Sequence, residues 1–168
     1  LTPQQLAGVG AAQVAALSVA QRMALYGTGV LSLAQLGPAE IKTLSTTAIA
    51  AFSSGQIAAL STAQIAALTT AQMGALSPAA VAGLTTEQIP VLGLAQVASI
   101  QPEALAKLNP DQLAAMTGAQ RGILYAYGVL PMEHISPQEL GALSTIIVSV
   151  LDADKVARLG AAQIAALT

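Results

Sequence analysis

The polar residues that could carry out chemistry are few, and their spacing suits no catalytic site. The chain has one histidine, His134, and no cysteine, whereas a metal site needs about four such ligands or carboxylates. Asp152 and Asp154 lie close together, but Lys155 and Arg158 follow them, a pattern typical of a solvated helix start. The sequence contains no glycine-rich phosphate loop and no nucleophile with a nearby base. We therefore predict no catalytic residue, no cofactor and no metal, and we expect a protein that is not an enzyme.

Composition argues against several classes of partner. Charged residues make up 8% of the chain and the net charge is −2, so there is no electrostatic case for nucleic acid or an anionic membrane. Residues 43–86 carry no charge, but Ser, Thr and Gln interrupt them too often for the ~18 apolar residues of a spanning helix. We expect no nucleic acid, no membrane span and no small-molecule substrate among the partners.

An eight-residue repeat organises most of the chain, as in IAALSTAQIAALTTAQMGAL at 57–76. The unit is L-[S/T]-x-x-Q-I-A-A. Position one holds Phe52, Leu60, Leu68, Leu76, Leu84, Leu92, Ile100, Leu108 and Met116. Position six holds Ile57, Ile65, Met73, Val81, Ile89, Val97, Leu105 and Leu113. In one continuous helix each Leu would lie about 80° round from the previous one, so the apolar row would cover every face. The period therefore argues against a long amphipathic helix or a coiled coil.

Capping chemistry explains the number eight. Ser or Thr followed three residues later by Gln or Glu is a capping box, as in Ser61 with Gln64 and Thr69 with Gln72. Proline is tolerated at the first helical position, and six prolines stand one residue after a cap position: Pro3, Pro38, Pro78, Pro102, Pro110 and Pro137. We predict that each octad restarts a helix of roughly five to seven residues. His134 stands where a capping-box Gln is expected, and we interpret it as a polar substitute.

A longer repeat contains the octads. QRMALYGTGVL at 21–31 returns as QRGILYAYGVL at 120–130, which is 99 residues later. The 99-residue unit holds eleven octads and one 11-residue unit. Since such short helices are marginal alone, they must stack. We predict an all-α fold: a continuous solenoid of very short capped helices, with the 8-residue repeat nested in a 99-residue superrepeat. Residues 1–99 form the first superrepeat and residues 100–168 a partial second one.

Two further features have a structural and a functional interpretation. Each superrepeat has a corner built from an Arg, a Tyr and a Gly: Arg22, Tyr26 and Gly29 in the first, Arg121, Tyr125 and Gly128 in the second. A corner of this kind either resets the path of the solenoid or contacts a partner, and the first interpretation is favoured. The apolar run Ile146, Ile147, Val148, Val150 and Leu151 is either extra core or a self-association contact.

The run 52–92, with ALSTAQIAALTTAQMGAL at its centre, resembles the Ala/Leu/Thr/Gln octad arrays of very large secreted or surface proteins of Gram-negative bacteria, often described as adhesin-like. This resemblance transfers no functional residue. The two-level repeat, the low charge and the uniform Ala-rich surface predict a non-catalytic structural spacer, or a self-assembling fibre or stalk segment, with copies of itself as partners. The resemblance implies that it belongs to a large extracellular or cell-surface protein. The alternative is an α-solenoid that binds a protein or peptide. The last octad breaks off at Thr168, so we expect a longer array.

Overall fold

The computed structural model describes residues 16–18, 21, 36–141 and 152–166. In these residues the chain is helical without strands, which confirms the predicted all-α solenoid of short helices. The α-helices are α1 (Pro38–Ile41), α2 (Thr46–Ala50), α3 (Ser54–Ala58), α4 (Thr62–Ala67), α5 (Thr70–Gly74), α6 (Pro78–Val81), α7 (Leu94–Ser99), α8 (Pro102–Leu105), α9 (Pro110–Ala115), α10 (Gly118–Ala126), α11 (Pro137–Gly141), α12 (Ala153–Ala157) and α13 (Ala161–Ala165). Two 3₁₀ turns lie at Ile89–Val91 and Met132–His134.

The helices begin where the capping pattern places them. Ser61 has extended backbone angles, its Oγ accepts the N–H of Gln64 at 3.3 Å, and Gln64 Oε1 accepts the N–H of Ser61 at 2.7 Å. Thr62 is then the first helical residue. Five of the six prolines open helices in the same way, at Pro38, Pro78, Pro102, Pro110 and Pro137, whereas Pro3 lies outside the described residues.

The helices end because the next octad needs an extended residue before its own cap. Leu68 and Met116 leave the helical region, with ψ of 135° and 141°, directly before the caps Thr69 and Thr117. The Thr85 octad is an exception, since its capping box forms but Pro90 lacks the N–H that an α-helix requires there. This octad therefore continues as the 3₁₀ turn instead of an α-helix.

The stacking of the helices sets the coil length. Most helices pack on one that begins three octads further along, as α1 does on α4 (Pro38 to Thr62) and α7 does on α10 (Leu94 to Gly118). Three octads therefore complete one coil. The position-one and position-six residues form the core, and from Phe52 to Met116 only Leu108 and Leu113 among them are partly buried. The stacking continues across residues 99 and 100, where α8 packs on α6.

One coil is shorter, because α10 runs for nine residues and packs on α11, which begins at Pro137, before three full octads have passed. Tyr125 stands at the cap position there, and its side chain has no acceptor that can reach a helix N–H. The helix therefore continues past the usual break and exceeds the predicted length. It ends at Ala126, and two residues later Gly128 has a φ of +71°, which a side chain would disfavour. Val129 N–H returns to Leu124 O at 2.9 Å.

The interpretation of His134 as a capping-box residue is wrong. Its partner position is Pro131, which has no N–H for a side chain to accept from. His134 instead ends the second 3₁₀ turn, exposed, and its carbonyl accepts the hydroxyl of Tyr125 at 3.3 Å.

No helix among the described residues combines the length and the apolar character needed to cross a membrane.

The cap register leads to a test with a matched control. Thr69→Ala removes the hydroxyl that accepts Gln72 N–H, so it should lower the free energy of unfolding by about 0.5–2 kcal/mol. Thr62→Ala changes an exposed first helical residue and should cost much less. Urea denaturation followed by circular dichroism measures both; equal losses would mean that the caps do not define the helix starts.

Candidate functional site: the hydrogen bonds between coils

Seven glutamines at position five of the octad are buried, which is unusual for a polar side chain. They are Gln64, Gln72, Gln88, Gln96, Gln112, Gln120 and Gln163. A buried carboxamide has one acceptor oxygen and two N–H donors to satisfy. Every buried side-chain nitrogen and oxygen among the described residues has a hydrogen-bond partner. These glutamines therefore form part of the packing between coils.

Gln72 shows how all three groups are used. Its Oε1 accepts the N–H of Thr69 at 2.8 Å within the capping box. Its Nε2 donates to the carbonyls of Ile41 and Leu44, each at 2.8 Å, in the coil below. One side chain thus caps its own helix and binds the preceding coil.

The same tertiary bond recurs at a fixed distance along the chain. Each of the seven glutamines donates from Nε2 to the carbonyl 28 residues earlier, at 2.5–2.9 Å. The acceptors are Leu36, Leu44, Leu60, Leu68, Leu84, Leu92 and Ile135. In most cases a second carbonyl, 30 or 31 residues earlier, also accepts.

The offset follows from the geometry of the coil. The residue three octads before each glutamine lies in the helix one coil below. Half an octad before that residue is the position-one residue, which precedes the same helix. Its carbonyl lies past the end of a helix, where no helical N–H reaches it. The glutamine therefore supplies donors to the carbonyl groups that a short helix leaves without partners.

One of the three edges of the solenoid is built differently. Ala80 and Ala104, which are three octads apart, occupy position five there and are fully buried. Gly83 lies so close to the backbone of Ser54 that a Cβ would clash with it. Small side chains at this edge let the backbones of successive coils approach closely.

At the short coil an arginine and a glutamate replace the glutamine. Glu139 stands at position five of its octad, where its carboxylate accepts from Ser136 N–H at 2.9 Å but has no N–H to offer a carbonyl. Arg121 supplies the donors: its Nε binds Glu139 Oε1 at 2.5 Å and its Nη1 binds Met116 O at 2.7 Å. The guanidinium thereby connects the Glu139 carboxylate of one coil to the Met116 carbonyl of the other.

The pKa values reflect this arrangement. Burial raises the pKa of Glu139, but the hydrogen bonds from Ser136 and Arg121 outweigh that effect and hold the pKa below its ordinary value. Burial, followed by the negative charge of Glu139, raises the pKa of Tyr125. Glu139 is therefore ionised and Tyr125 protonated near neutral pH.

The structure brings together Arg121, Tyr125 and Gly128, the second superrepeat corner, at the short coil. The first corner lies outside the described residues (Arg22, Tyr26 and Gly29). The apolar run also lies outside them (Ile146, Ile147, Val148, Val150 and Leu151). Those residues remain candidates.

The acidic pair at 152–154 belongs to a helix start, as the sequence indicates. Asp152 caps α12 by accepting Lys155 N–H at 2.9 Å, and Lys155 Nζ lies 2.6 Å from its other oxygen. The bonds from the Lys155 side chain and backbone lower the pKa of Asp152. Nearby, Tyr125 and Arg158 help line an open depression of about 260 Å³. No cluster of His, Cys, Asp or Glu in the described part of the chain could hold a metal.

The capping pattern predicts a role for glutamine only within its own helix, and the bonds to the coil below were not predicted. A signal was present, however. Position five reads Gln64, Gln72, Ala80, Gln88, Gln96, Ala104, Gln112, Gln120. Within this stretch alanine recurs after three octads, at Ala80 and Ala104, which matches the three-octad coil, whereas Ala48 and Gln56 upstream do not follow that spacing.

Gln72→Glu separates the two roles of the buried glutamine. The carboxylate can still cap Thr69, but it has no donor for Ile41 and Leu44 and places a negative charge against their carbonyls. We expect the free energy of unfolding to fall by at least about 1–3 kcal/mol, measured by urea denaturation at pH 7. Gln21→Glu is the matched control, because Gln21 is exposed and caps Ser18 in the same way. Comparable losses in the two variants would contradict the tertiary role.

The Arg121–Glu139 pair is open to a double-mutant test. Arg121→Leu leaves Glu139 and Met116 O without this donor and should cost about 1–3 kcal/mol, whereas adding Glu139→Gln should recover most of that loss. Because the folded pKa of Glu139 lies below the unfolded value, its stabilisation is complete above the unfolded pKa and is lost as pH falls through the folded pKa. Glu139→Gln should remove this acid-dependent component from urea melts. Additive effects of the two substitutions would show that the pair does not act as a unit.

Comparison with known proteins agrees with this repeat geometry. Residues 33–70 and 67–102 each match the family model of the ALTTAQ repeat. The letters ALTTAQ occur at 67–72, where they span the last residue of α4, the cap Thr69 and the glutamine Gln72. No curated protein and no solved structure matches the chain. The family matches support a repeat array, and the protein is a repeat protein of short capped helices.

Proposed function

We propose that this chain is a segment of an extended, non-catalytic spacer or stalk in a large extracellular or cell-surface protein. The observation that carries the proposal is the glutamine bond at its constant sequence offset, which recurs between Leu36 and Gln163. A contact that recurs at one sequence offset transmits the same geometry between the coils that share it. The cell-surface setting comes from the resemblance to octad arrays of large bacterial surface proteins.

The packing pattern supports an extended shape. The helix contacts join each coil to its neighbours three octads away, or nearer at the short coil, as in other solenoids, where each repeat contacts only adjacent repeats. Bending such an array strains the buried hydrogen bonds between coils, and each of these is worth about 0.5–1.5 kcal/mol. Resistance to bending is the property that a spacer requires.

The exposed surface also favours a spacer over a binding solenoid. A binding solenoid keeps its core and varies its surface from repeat to repeat. Here the exposed positions of α2 to α5 are occupied by Ala, Ser, Thr and Gly, and residues 43–86 contain no charge. Such a surface offers a partner few distinguishing groups.

Tandem arrays of one, two and three 99-residue superrepeats test this function. Each superrepeat adds about four coils, and packed helices lie about 8–10 Å apart, so the maximum dimension should rise by roughly 30–40 Å per superrepeat. Small-angle X-ray scattering measures this increase. The same arrays with the residue equivalent to Gln72 changed to Glu in every copy should scatter as more flexible chains.

Compact particles whose maximum dimension does not grow with superrepeat number would contradict the spacer. That result would favour the binding scaffold, in which the array folds back to form a surface.

A further inference from the structure

The helices stack along three edges of the solenoid, and each edge can be followed through its helix contacts. On the first edge α1 packs on α4, α4 packs on the 3₁₀ turn at Ile89–Val91, and that turn packs on α9. On the second edge α2, α5, α7, α10, α11 and α13 pack in succession. On the third edge α3 packs on α6, and α6 packs on α8. The contacts therefore assign each of these helices to one edge.

Two of these helices are equivalent members of the 99-residue superrepeat. The first residue of α11 lies 99 residues after the first residue of α1. Both helices have a glutamate in the capping box. The N–H of Gly37 donates to Glu40 Oε2, and the N–H of Ser136 donates to Glu139 Oε2, each at 2.9 Å. The local structure is therefore repeated together with the sequence.

The contact with the next coil is repeated as well. α1 packs on α4, and α11 packs on α13, which begins 99 residues after α4. Gln64 donates from Nε2 to Leu36 O at 2.6 Å, and its counterpart Gln163 donates to Ile135 O at 2.5 Å. The superrepeat thus preserves the tertiary hydrogen bond between coils.

The repeated helices nevertheless lie on different edges. α1 and α4 belong to the first edge, whereas α11 and α13 belong to the second. Thr117 lies ten octads after Gly37, which makes three coils and one further octad. The short coil from Thr117 to Ser136 then completes one turn, because α11 returns onto α10. One superrepeat therefore contains four coils and one additional octad, and that octad moves the chain to the next edge.

We infer that each 99-residue superrepeat is rotated by one edge, a third of a turn, about the solenoid axis relative to the superrepeat before it. Three superrepeats then contain thirteen whole coils, so a given helix returns to its own edge only after three superrepeats. The inference rests on the proposed spacer function, because it takes the superrepeat to recur along an extended array. It specifies how the surface of that array is arranged.

The rotation determines where a spacer carries its corners. The corner of Arg121, Tyr125 and Gly128 includes the ion pair of Arg121 with Glu139, whereas residues 43–86 contain no charge. With the rotation, successive corners lie on three edges in turn. A second array that lies alongside meets a corner on only one superrepeat in three. The arrangement therefore disfavours side-by-side pairing of spacers through their corners.

Spin-label distances within tandem arrays test the rotation. Ala63, Ala71 and Ala79 are exposed and occupy the same octad position on the first, second and third edges. The chain has no cysteine of its own, so Ala63→Cys, Ala71→Cys or Ala79→Cys gives a single type of label site. In a three-superrepeat array the change is made in two adjacent copies, or in the first and third copies. Double electron–electron resonance then measures the distance between the two labels.

Rotation gives a characteristic ratio of distances. One superrepeat should advance the label by roughly 30–40 Å along the axis and move it sideways by roughly 20 Å. Two superrepeats double the axial advance and leave the sideways displacement the same. The distance across two superrepeats should therefore be about 1.8 times the distance across one, at all three label positions.

Two results would overturn the inference. A distance across two superrepeats that is twice the distance across one, at all three positions, would mean that the superrepeats are in line. Bending without rotation would also lower the ratio, but it would make the distance across one superrepeat differ between the three edges. Rotation instead predicts equal distances at Ala63, Ala71 and Ala79.

Deletion of residues 61–68 from every superrepeat is the matched control. The deletion removes one octad, so each superrepeat completes whole coils. It also brings Ala48, Ala80 and Ala104 onto one edge, with glutamine or glutamate at position five on the other two. With labels at Ala71, the distance across two superrepeats should then be twice the distance across one. An unchanged ratio in a shortened array that is folded by circular dichroism would show that the additional octad does not cause a rotation. The comparison of the three edges decides the inference without this variant.

The two proposals fail separately. Arrays that are extended in small-angle scattering but show no rotation in the label distances would leave the spacer intact and exclude the rotation. Arrays that are compact in scattering would exclude the spacer, whereas the distances between adjacent superrepeats would still report whether they are rotated.

Discussion

A buried glutamine is stable only when its oxygen and both of its N–H groups find partners, and this constraint organises the solenoid. The oxygen of Gln72 accepts from Thr69 in its own cap, and the nitrogen donates to Ile41 and Leu44 one coil away. The cap holds the side-chain oxygen in its own coil, and the carbonyls of the other coil hold the side-chain nitrogen. Local structure and tertiary stacking therefore depend on the same side chain.

This coupling explains how helices of four to six residues persist. Such a helix leaves most of its terminal N–H and C=O groups without helical partners, and alone it is marginal in water. The hydroxyl caps satisfy groups at the start of the helix, and the glutamines of the next coil satisfy carbonyls at its end. At the short coil, Arg121 and Glu139 perform the same task with charged groups. This replacement indicates that the position-one carbonyl requires a hydrogen-bond donor, which can be arginine instead of glutamine.

The sequence predicts the parts of the fold that depend on local chemistry. Caps such as Ser61 and Thr69, prolines such as Pro78, and the core positions one and six follow from side-chain type and spacing. The number of octads per coil depends on contacts between distant residues and was not predicted, although the spacing of Ala80 and Ala104 matches it. His134 was misassigned because proline at the cap position removes the N–H on which a capping box depends.

The measurement that tests this account most directly is nuclear magnetic resonance of the glutamine side-chain amides. The account predicts that the Nε2 protons of Gln72, Gln88 and Gln120 exchange slowly with solvent. Each should also show couplings through the hydrogen bond to the carbonyl 28 residues earlier: Leu44, Leu60 and Leu92. The exposed Gln21 gives the reference rate in the same spectrum. Exchange as fast as that of Gln21, or couplings at another offset, would contradict the three-octad coil and the role of glutamine in it.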